Sequence, residues 1–273
     1  GWFFGTHEEI KLYEELESNS SPLEIYANTT FQGVVTSADT IYILEQRDKG
    51  FYSKSLKKIV DIEKGFLKPL LKGSNITRYT NTKNAYWLIF PYEITDGNMR
   101  LILEDEFVFK YPKTWNYLKS CERHLRARES GKMDHGSWYA YVYPKNLEQF
   151  DKPKILIQVL AKKAAMTLDE NGGLFFVGGG NAGGYGLTLK TENRLSLEYI
   201  LGLLNSSTLD FYLQRHSSKF QNGYFSYAKR FLERIPIKIG NAEIQEKIID
   251  LVKIILKNSD SNEGVIKCEK EID

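Results

Sequence analysis

The sequence has few cysteines and no long hydrophobic run. Only two cysteines, Cys121 and Cys268, occur in 273 residues, so a disulfide framework is not expected and a reducing compartment is the simpler setting. No apolar run approaches the ~20 residues that a membrane-spanning helix needs. The N-terminal stretch GWFFGTHEEIKLYEELE turns acidic where a signal peptide would remain apolar. We therefore expect a cytoplasmic protein with no membrane partner.

The common catalytic and metal-binding motifs are also missing. The chain contains no G-x-x-x-x-G-K-[ST] phosphate loop, no G-x-S-x-G nucleophile elbow and no H-E-x-x-H motif. It also lacks N-P-P-[YF], with which amino-methyltransferases hold a flipped base. Cys121, His124 and His135 would make only an incomplete zinc site, because a fourth ligand is missing. We predict no catalytic residue, no metal site and no cofactor in this chain.

Charge is distributed unevenly along the chain, although the formal net charge is only +2. Lys and Arg outnumber Asp and Glu by 12 to 5 in residues 110–163 and by 6 to 1 in residues 212–240, whereas acids predominate in residues 1–50. If the fold brings the two basic segments together, they form a positive face of the kind that binds polyanions. A solvated surface without a partner is the alternative.

The stretch GGGNAGGYG, residues 178–186, resembles a dinucleotide-binding loop because Gly178, Gly180 and Gly183 satisfy G-x-G-x-x-G. That motif needs a helix directly after the glycines, so that the helix N-terminus can bind the pyrophosphate. Here YGLTLK follows, with the alternation of a strand. Asn181 and the glycines tolerate the positive φ of a tight turn. The pattern favours two antiparallel strands joined by a glycine-rich loop over a phosphate-binding loop.

Hydrophobic periodicity predicts a strand-rich body. Strands are expected where aliphatic and aromatic residues cluster or alternate: LEIYANTTF, residues 41–44, NAYWLIFPY, SWYAYVYP, KPKILIQVL, MTLDENGGLFFVGG and YGLTLK. Helices do not alternate regularly with these strands, so a doubly wound sheet is not expected. We predict an α+β fold with a mixed, largely antiparallel sheet body, packed helices and a helical C-terminal part.

Helical spacing is found at both ends and in the middle of the chain. It marks THEEIKLYEELESNS and also NMRLILEDEFVFKYPKTWNYLKSCERHLRAR, where Pro112 would begin a second helix because its missing N–H does no harm in a first turn. In LSLEYILGLLNSSTLDFYLQRHS, Leu197, Leu204 and Phe211 fall on one helical face, and NAEIQEKIIDLVKIILKNS predicts another amphipathic helix. The final NSDSNEGVIKCEKEID is polar enough to fray.

Basic and aromatic residues are interleaved in two segments. The first has four cations ahead of a tryptophan: Arg123, Arg126, Arg128, Lys132 and Trp138. The second, RHSSKFQNGYFSYAKRF, mixes cations with Gln, Asn and Tyr. Lys and Arg suit phosphates, whereas Arg, Gln and Asn read base edges through paired hydrogen bonds. The combination is typical of double-stranded DNA binding, although Trp138 and Tyr227 are better placed in the core and some arginines at an ordinary surface.

Several blocks of the sequence resemble the TaqI-like C-terminal specificity domain and occur in that family's order: FQGVVTSADTIYIL, KPLLKGSNITRY, FKYPKTWNYLKSCERHLRAR, WYAYVYPKNLEQFDKPKILIQ, LGLLNSSTLDFYL and RFLERIPI. The resemblance runs from about Ser21 to Ile237. The family supplies target recognition to bacterial type II restriction–modification enzymes and adenine-N6 DNA methyltransferases. In these enzymes a separate N-terminal domain binds S-adenosylmethionine and transfers the methyl group, and a nuclease often precedes it. The resemblance implies a noncatalytic specificity region, with S-adenosylmethionine and Mg²⁺ expected in the parent enzyme's other domains.

The resemblance also implies which residues meet DNA. Loops at residues 33–39 and 76–79 would lie near the DNA, with Arg78 as the best contact. At the position of the glycine stretch the family has a simpler hairpin. The stretch would therefore be either a mobile loop that becomes ordered on DNA, with Tyr185 as a contact, or only a long turn. The residues that read bases in this family vary with the DNA target, so the resemblance does not identify them in this sequence. The residues predicted to contact DNA are Thr36, Ser37, Arg78, Arg123, Arg126, Arg128, Lys132, Tyr185, Lys219, Gln221, Asn222, Tyr224, Lys229 and Arg230.

The resemblance suggests three parts of the chain. Residues 1–20 would form a lead-in helix after the missing catalytic domain, with GWFF as the first residues after the cut. Residues 21–240 would form the target recognition domain, and residues 241–273 a C-terminal amphipathic helix with a polar tail. The expected partners are double-stranded DNA and the methyltransferase or nuclease domain of the same parent chain.

Two other functions remain open. The amphipathic helices after Leu195 would also suit a protein-interaction scaffold that docks methyltransferase or nuclease subunits. A hydrolase with a site around Asp134 and His135 is the third interpretation.

Overall fold

The computed structural model describes residues 5–80, 85–180, 183–258 and 262–273. The expected junction at residues 1–4 and the predicted turn residue Asn181 lie outside these ranges. No helix in the described part of the chain is both long and apolar enough to cross a bilayer. The helices are α1 (His7–Ser18), α2 (Asp39–Tyr42), α3 (Glu104–Lys110), α4 (Pro112–Ser120), α5 (Glu122–Arg126), α6 (Arg128–Gly131), α7 (Leu197–Asn205), α8 (Ser207–His216), α9 (Lys229–Leu232), α10 (Ala242–Lys257) and α11 (Asn262–Ile272).

The strands are mostly short and antiparallel. They are β1 (Ser21–Pro22), β2 (Ala27–Gln32), β3 (Ile43–Arg47), β4 (Gly50–Ser53), β5 (Lys58–Val60), β6 (Leu67–Leu71), β7 (Tyr86–Ile89), β8 (Tyr92–Thr95), β9 (Asn98–Leu101), β10 (Lys154–Gln158), β11 (Leu160–Ala161), β12 (Met166–Asp169), β13 (Phe175–Phe176), β14 (Gly184–Leu189), β15 (Phe225–Ser226) and β16 (Pro236–Ile237). A six-stranded sheet has the order β13-β6-β7-β3-β4-β5, with a parallel β13–β6 pair. A four-stranded sheet, the central sheet, has the order β12-β10-β14-β2 and is antiparallel throughout. The expectation of a largely antiparallel α+β fold is confirmed.

The central sheet separates two hydrophobic cores. Successive residues of a strand point to opposite faces, and on β10 Leu156 belongs to the first core while Ile155 and Ile157 belong to the second. The first core is shared with the six-stranded sheet and with α3, α4 and α5. The second is shared with α7, α8 and α10. The molecule is therefore layered, with a sheet body on one face of the central sheet and helices on the other.

Glycine on β14 permits the close packing of the first core against the central sheet. A Cβ atom at Gly186 would lie 2.4 Å from Cζ of Phe31 and 3.0 Å from Cζ of Phe176. Both phenylalanines are almost completely buried. The aromatic rings can therefore lie directly on the strand backbone only because residue 186 has no side chain.

The predicted glycine-rich hairpin is wrong. The two strands that flank the glycine stretch belong to different sheets, because β13 pairs with β6 and β14 pairs with β10 and β2. The prediction that a strand rather than a helix follows the glycines is confirmed. The hairpin prediction failed because turn-forming residues indicate a change of chain direction but do not indicate the partner of each strand.

Three other local predictions are wrong. Ile41 and Tyr42 lie in the one-turn helix α2 rather than in a strand. SWYAYVYP forms turns in which Trp138 and Tyr141 are buried, with only an isolated bridge between Tyr143 and Val35. The stretch NMRL is strand β9, not helix. Aromatic and aliphatic content indicated burial correctly for Ile41, Tyr42, Trp138 and Tyr141 but not for NMRL, in which no residue is buried. In none of the three segments did it indicate the backbone conformation.

The C-terminal predictions are partly confirmed. α10 forms as predicted, capped by the Asn241 side chain, but the segment expected as one helix after Leu195 is two, because Ser206 ends α7 and caps α8. The tail does not fray over residues 262–272. It forms α11, whose Val265 and Cys268 pack against the second core. Apolar residues at helical spacing outweighed the polar composition.

Candidate nucleic-acid interface

Several loops leave the central sheet at the same end. Gln158 at the end of β10 pairs with Gly184 at the start of β14, and Gln32 at the end of β2 pairs with Tyr185. Because these neighbours are antiparallel, their connecting loops emerge side by side. The segment at residues 76–79 reaches the same end, since the amide of Tyr79 donates to the carbonyl of Met166 at 2.9 Å. Loops far apart in sequence are thereby brought together.

An open groove of about 560 Å³, which we call the sheet-end groove, lies at this end of the sheet and is lined by residues in or near β2, β10 and β14 and by residues between 220 and 233. Three of the predicted DNA-contact residues, Tyr185, Lys229 and Arg230, line it together. Its other lining residues are Gln32, Val159, Gly180, Phe220, Ser226, Ala228 and Glu233. The groove thus joins the glycine stretch to the second basic segment, whereas no described cation of the first basic segment lines it.

A second concavity lies on the opposite face of the same chain segment. Val159 faces the sheet-end groove, whereas Gln158 and Leu160 line a cleft of about 370 Å³. In this cleft the ammonium group of Lys72 lies 3.7 Å from the centre of the Tyr86 ring, within the range of a cation–π contact. The alternation of side chains along an extended segment therefore gives the end of the sheet two different concave surfaces.

A tight turn at residues 220–224 lies at the rim of the groove and brings four of the predicted contact residues there: Lys219, Gln221, Asn222 and Tyr224. The amide of Phe220 donates to the carbonyl of Tyr224 at 2.7 Å, and Asn222 has φ 60°, which Asn tolerates better than most residues. Lys219, Gln221 and Asn222 are exposed, and Tyr224 is half-buried with the Lys162 ammonium 5.5 Å from its ring centre. Their side chains are available to a ligand that enters the groove.

The two cations that line the groove, Lys229 and Arg230, are held by local contacts. Lys229 lies 3.5 Å from the carboxylate of Glu233, one helical turn away, and Arg230 stacks over Phe231 with 4.6 Å from the guanidinium carbon to the ring centre. Both cations are exposed. A surface ion pair of this kind contributes about 0–1 kcal/mol, so an anionic ligand can displace Glu233 from Lys229 at little cost.

The loop at residues 33–39 packs against the glycine stretch. The amide of Val34 donates to the carbonyl of Phe176, and the amide of Gly178 donates to the carbonyl of Val34, both at 2.8 Å. Ser37 is exposed with φ 55°. Thr36 is buried, with its hydroxyl donating to Asp39 at 2.6 Å. Ser37 therefore remains a predicted DNA contact, whereas the burial of Thr36 keeps its side chain from the DNA contact that was predicted for it.

Arg128 is not free to face phosphate as expected, because it is a buried structural residue. Its guanidinium donates to the carbonyls of Leu125 (2.8 Å), Thr36 (3.0 Å), Trp138 (2.6 Å) and Ala140 (2.9 Å). Only 6% of the residue is exposed. The five N–H donors of Arg can satisfy several carbonyls at once, so this side chain ties the loop at residue 36 to the turns after α6.

The other cations of the first basic segment are at the surface but do not line the groove. Arg123 and Lys132 are exposed. Arg126 is half-buried between two carboxylates, 2.7 Å from Glu122 and 3.1 Å from Asp134, and these partners raise its pKa, with the hydrogen bond to Glu122 the largest contribution. Arg123, Arg126 and Lys132 therefore remain predicted DNA contacts on a surface apart from the groove.

Arg78, the best contact expected from the resemblance, is engaged inside the molecule. Its guanidinium pairs with Glu269 of α11 and donates to the carbonyl of Asn205. About 30% of the side chain is exposed. A role on DNA would require these contacts to be exchanged, and it stays a prediction.

Several groove residues were missed by the sequence analysis. Gln32 ends β2 with an exposed side chain directly before Gly33, and Phe220 is partly exposed beside the cationic turn. The signal at Gln32 is weak, because an exposed polar residue at the end of a strand is ordinary. Only the pairing of β2 with β14 places it beside Tyr185.

The structure also bears on the two alternative functions. The apolar face of α10, which a scaffold would use for docking, is already covered by the chain itself: Ile248, Val252 and Ile255 belong to the second core. At the proposed hydrolase position, Asp134 is paired with Arg126, and Nδ1 of His135 accepts the amide of Ser137 at 3.1 Å. No group of three His, Cys, Asp or Glu residues that could hold a metal ion occurs within the described ranges.

Curated relatives of this chain are restriction–modification proteins. The chain is 25% identical over 218 residues to the type II restriction enzyme and methyltransferase RM.Eco57I of Escherichia coli, a match that covers 75% of this chain and 22% of that protein. It is 24% identical over 246 residues to the type II methyltransferase M.MjaIV of Methanocaldococcus jannaschii, covering 88% and 75% respectively. It is 22% identical to the type II methyltransferase M.BanIII of Aneurinibacillus aneurinilyticus over all of this chain and 45% of that protein. The chain therefore spans only part of these relatives.

A solved structure shares the fold. It is the type IIL restriction-modification enzyme MmeI in complex with DNA, with a TM-score of 0.58 and 14% sequence identity over 90% of this chain and 31% of the MmeI chain. The sequence model of the family described as the TaqI-like C-terminal specificity domain matches residues 68–237, more than half of the sequence. That range includes the glycine stretch, the second basic segment and most of the groove. The chain belongs to the family of TaqI-like C-terminal specificity domains of restriction–modification methyltransferases.

Proposed function

We propose that the chain recognises a specific sequence in double-stranded DNA and contributes no catalytic residue of its own. The observation that carries this proposal is the sheet-end groove, in which Tyr185, Lys229 and Arg230 converge from two separate parts of the sequence. The cations would hold phosphates, and the polar side chains on the groove wall and rim would reach base edges. The family to which the chain belongs and the DNA complex of the structurally similar MmeI support this function.

We further propose that the chain acts within a larger type II methyltransferase, with or without a nuclease. The curated relatives are such enzymes, and this chain covers only 22% of one and 45% of another. A methyltransferase domain of the same parent would bind S-adenosylmethionine and transfer the methyl group to adenine N6, and any nuclease domain would use Mg²⁺. The specificity domain would hold the target sequence in register for that chemistry. These cofactors would be held by domains outside this chain.

DNA selection at increasing salt tests the recognition function. The purified chain is mixed with a randomised duplex pool, the bound fraction is sequenced, and binding is measured as the salt concentration rises. Binding should weaken steeply with salt, because counterions are released from each neutralised phosphate, and a motif should be enriched. Binding without a motif would mean that specificity depends on the catalytic part of the parent. No binding at all, or binding that salt does not affect, would reject the proposal.

A further inference from the structure

Gln32 lies at the end of an ordered row of side chains on the central sheet. Ile157, Tyr185 and Gln32 are directly opposite one another on β10, β14 and β2. Residues opposite one another in antiparallel strands point to the same face. Along this row burial decreases towards the sheet edge: Ile157 is fully buried, Tyr185 is half-buried and Gln32 is exposed in the sheet-end groove. The rigid sheet therefore presents the Gln32 amide to the groove.

The stem of Gln32 is confined by the glycine stretch. A Cβ atom built on Gly178 would lie only 3.1 Å from Cγ of Gln32, so the glycine backbone packs directly against this side chain. The Gln32 amide makes no hydrogen bond to any other residue that the structure describes. Its carbonyl oxygen and its NH₂ group are both available to a ligand. A confined stem with a free amide is suited to directional recognition.

The surroundings of Gln32 match the needs of a DNA-reading residue. Lys229 and Arg230 line the same groove and can hold phosphates. Gln221 and Asn222 are also exposed amides, but they lie on a turn with Asn222 and Gly223 at positive φ. A residue on a sheet is positioned more accurately than one at the tip of a turn. Of these three amides, Gln32 is therefore the best placed to distinguish bases.

We propose that Gln32 reads one adenine of the target sequence in the major groove. Its amide would accept a hydrogen bond from adenine N6–H and donate one to N7, a paired contact that no other base offers in the same arrangement. This inference rests on the proposed recognition of DNA by the chain. It adds which residue reads a base and which base it reads.

Selection experiments with matched variants test the assignment. The 273-residue chain, its Gln32→Ala and Gln32→Glu variants and the control Asn28→Ala are each used to select from the same randomised duplex pool. Asn28 is an exposed amide near the other end of β2, bonded to Thr188. Gln32→Ala should lose preference for adenine at one position by about tenfold, the effect expected for one paired base contact. Gln32→Glu should favour cytosine at that position, because a carboxylate accepts from cytosine N4.

The possible results separate this inference from the recognition function. An unchanged motif in Gln32→Ala, or an equal loss of binding to all sequences, overturns the assignment of Gln32 while the unsubstituted chain still selects its target. Binding of the unsubstituted chain without any motif also overturns it. Failure of the unsubstituted chain to bind DNA rejects the recognition function itself. Equal melting temperatures of Gln32→Ala, Asn28→Ala and the unsubstituted chain exclude misfolding as the cause of a changed motif.

Discussion

Gly33 and Gly178 cross with their backbones in contact. A Cβ atom on Gly178 would lie 2.1 Å from the carbonyl oxygen of Gly33, and one on Gly33 would lie 2.4 Å from the carbonyl carbon of Val177. Neither position leaves room for a methyl group. This crossing fixes residue 178 against the end of β2, beside the groove that Gln32 and Gly180 line.

The Gly178→Ala variant should be less stable than the unsubstituted chain by about 3 kcal/mol, because the clash is with backbone and no side chain can move aside. Thermal or urea unfolding measures the loss. Gly136→Ala is the matched control, since a Cβ atom there meets nothing within 4 Å. A Gly178→Ala variant as stable as Gly136→Ala would contradict the close crossing.

Arg128 should act on stability rather than directly on DNA. Arg128→Met keeps a long apolar side chain but removes the donors to four carbonyls in a buried site, so we expect the free energy of unfolding to fall by about 3 kcal/mol. Arg123→Met removes the same charge from an exposed position and should change stability by less than about 0.5 kcal/mol. Denaturant unfolding of the two variants compares them. Equal stabilities would contradict the buried role of Arg128.

Glu63 should make stability depend on pH in the acid range. Its carboxylate accepts the amides of Lys113 (2.7 Å) and Thr114 (2.9 Å) in the first turn of α4 and also the Thr114 hydroxyl. Partial burial raises the pKa of Glu63, but the hydrogen bonds from Thr114 and Lys113 outweigh burial and leave the pKa below its ordinary value of 4.5. The stabilisation from Glu63 is therefore fully present above pH 4.5 and is lost as the pH falls through the lowered pKa.

The measurement for Glu63 is the melting temperature between pH 7 and pH 3. At neutral pH, Glu63→Gln should cost about 1 kcal/mol, as expected for loss of a helix cap. The difference from the unsubstituted chain should shrink as the pH falls below 4.5, since Glu63 itself then becomes protonated. Glu14→Gln, at an exposed position of α1, is the control. A constant difference at every pH would refute this role.

Arg230 should contribute to the salt dependence of DNA binding. If its guanidinium holds one phosphate, Arg230→Ala should weaken binding to all sequences alike and reduce the slope of log K against log salt by about 1. Lys253→Ala removes an exposed cation of α10 that does not line the groove, and the slope should not change. Fluorescence anisotropy with labelled duplexes at several salt concentrations gives the slopes. An equal effect of the two substitutions would place the phosphate contact elsewhere.

The sequence by itself determined the local elements whose causes are local. Pro112 begins α4 as predicted, because a proline is tolerated where a helix has no N–H to satisfy. The amphipathic pattern of α10 and the alternation after the glycines gave the correct elements as well. The uneven distribution of charge identified the basic segment that lines the groove through Lys229 and Arg230.

Only the tertiary structure decided which strands pair and which polar side chains are free. The turn-forming residues around residue 180 predicted a hairpin, but β13 pairs with β6, which lies more than 100 residues earlier in the sequence. Arg128 and Arg123 look alike in sequence, yet one is buried among carbonyls and the other is exposed. Gln32 faces the groove because β2 pairs with β14. Pairing and burial depend on contacts between distant segments, and these carry no local signal in the sequence.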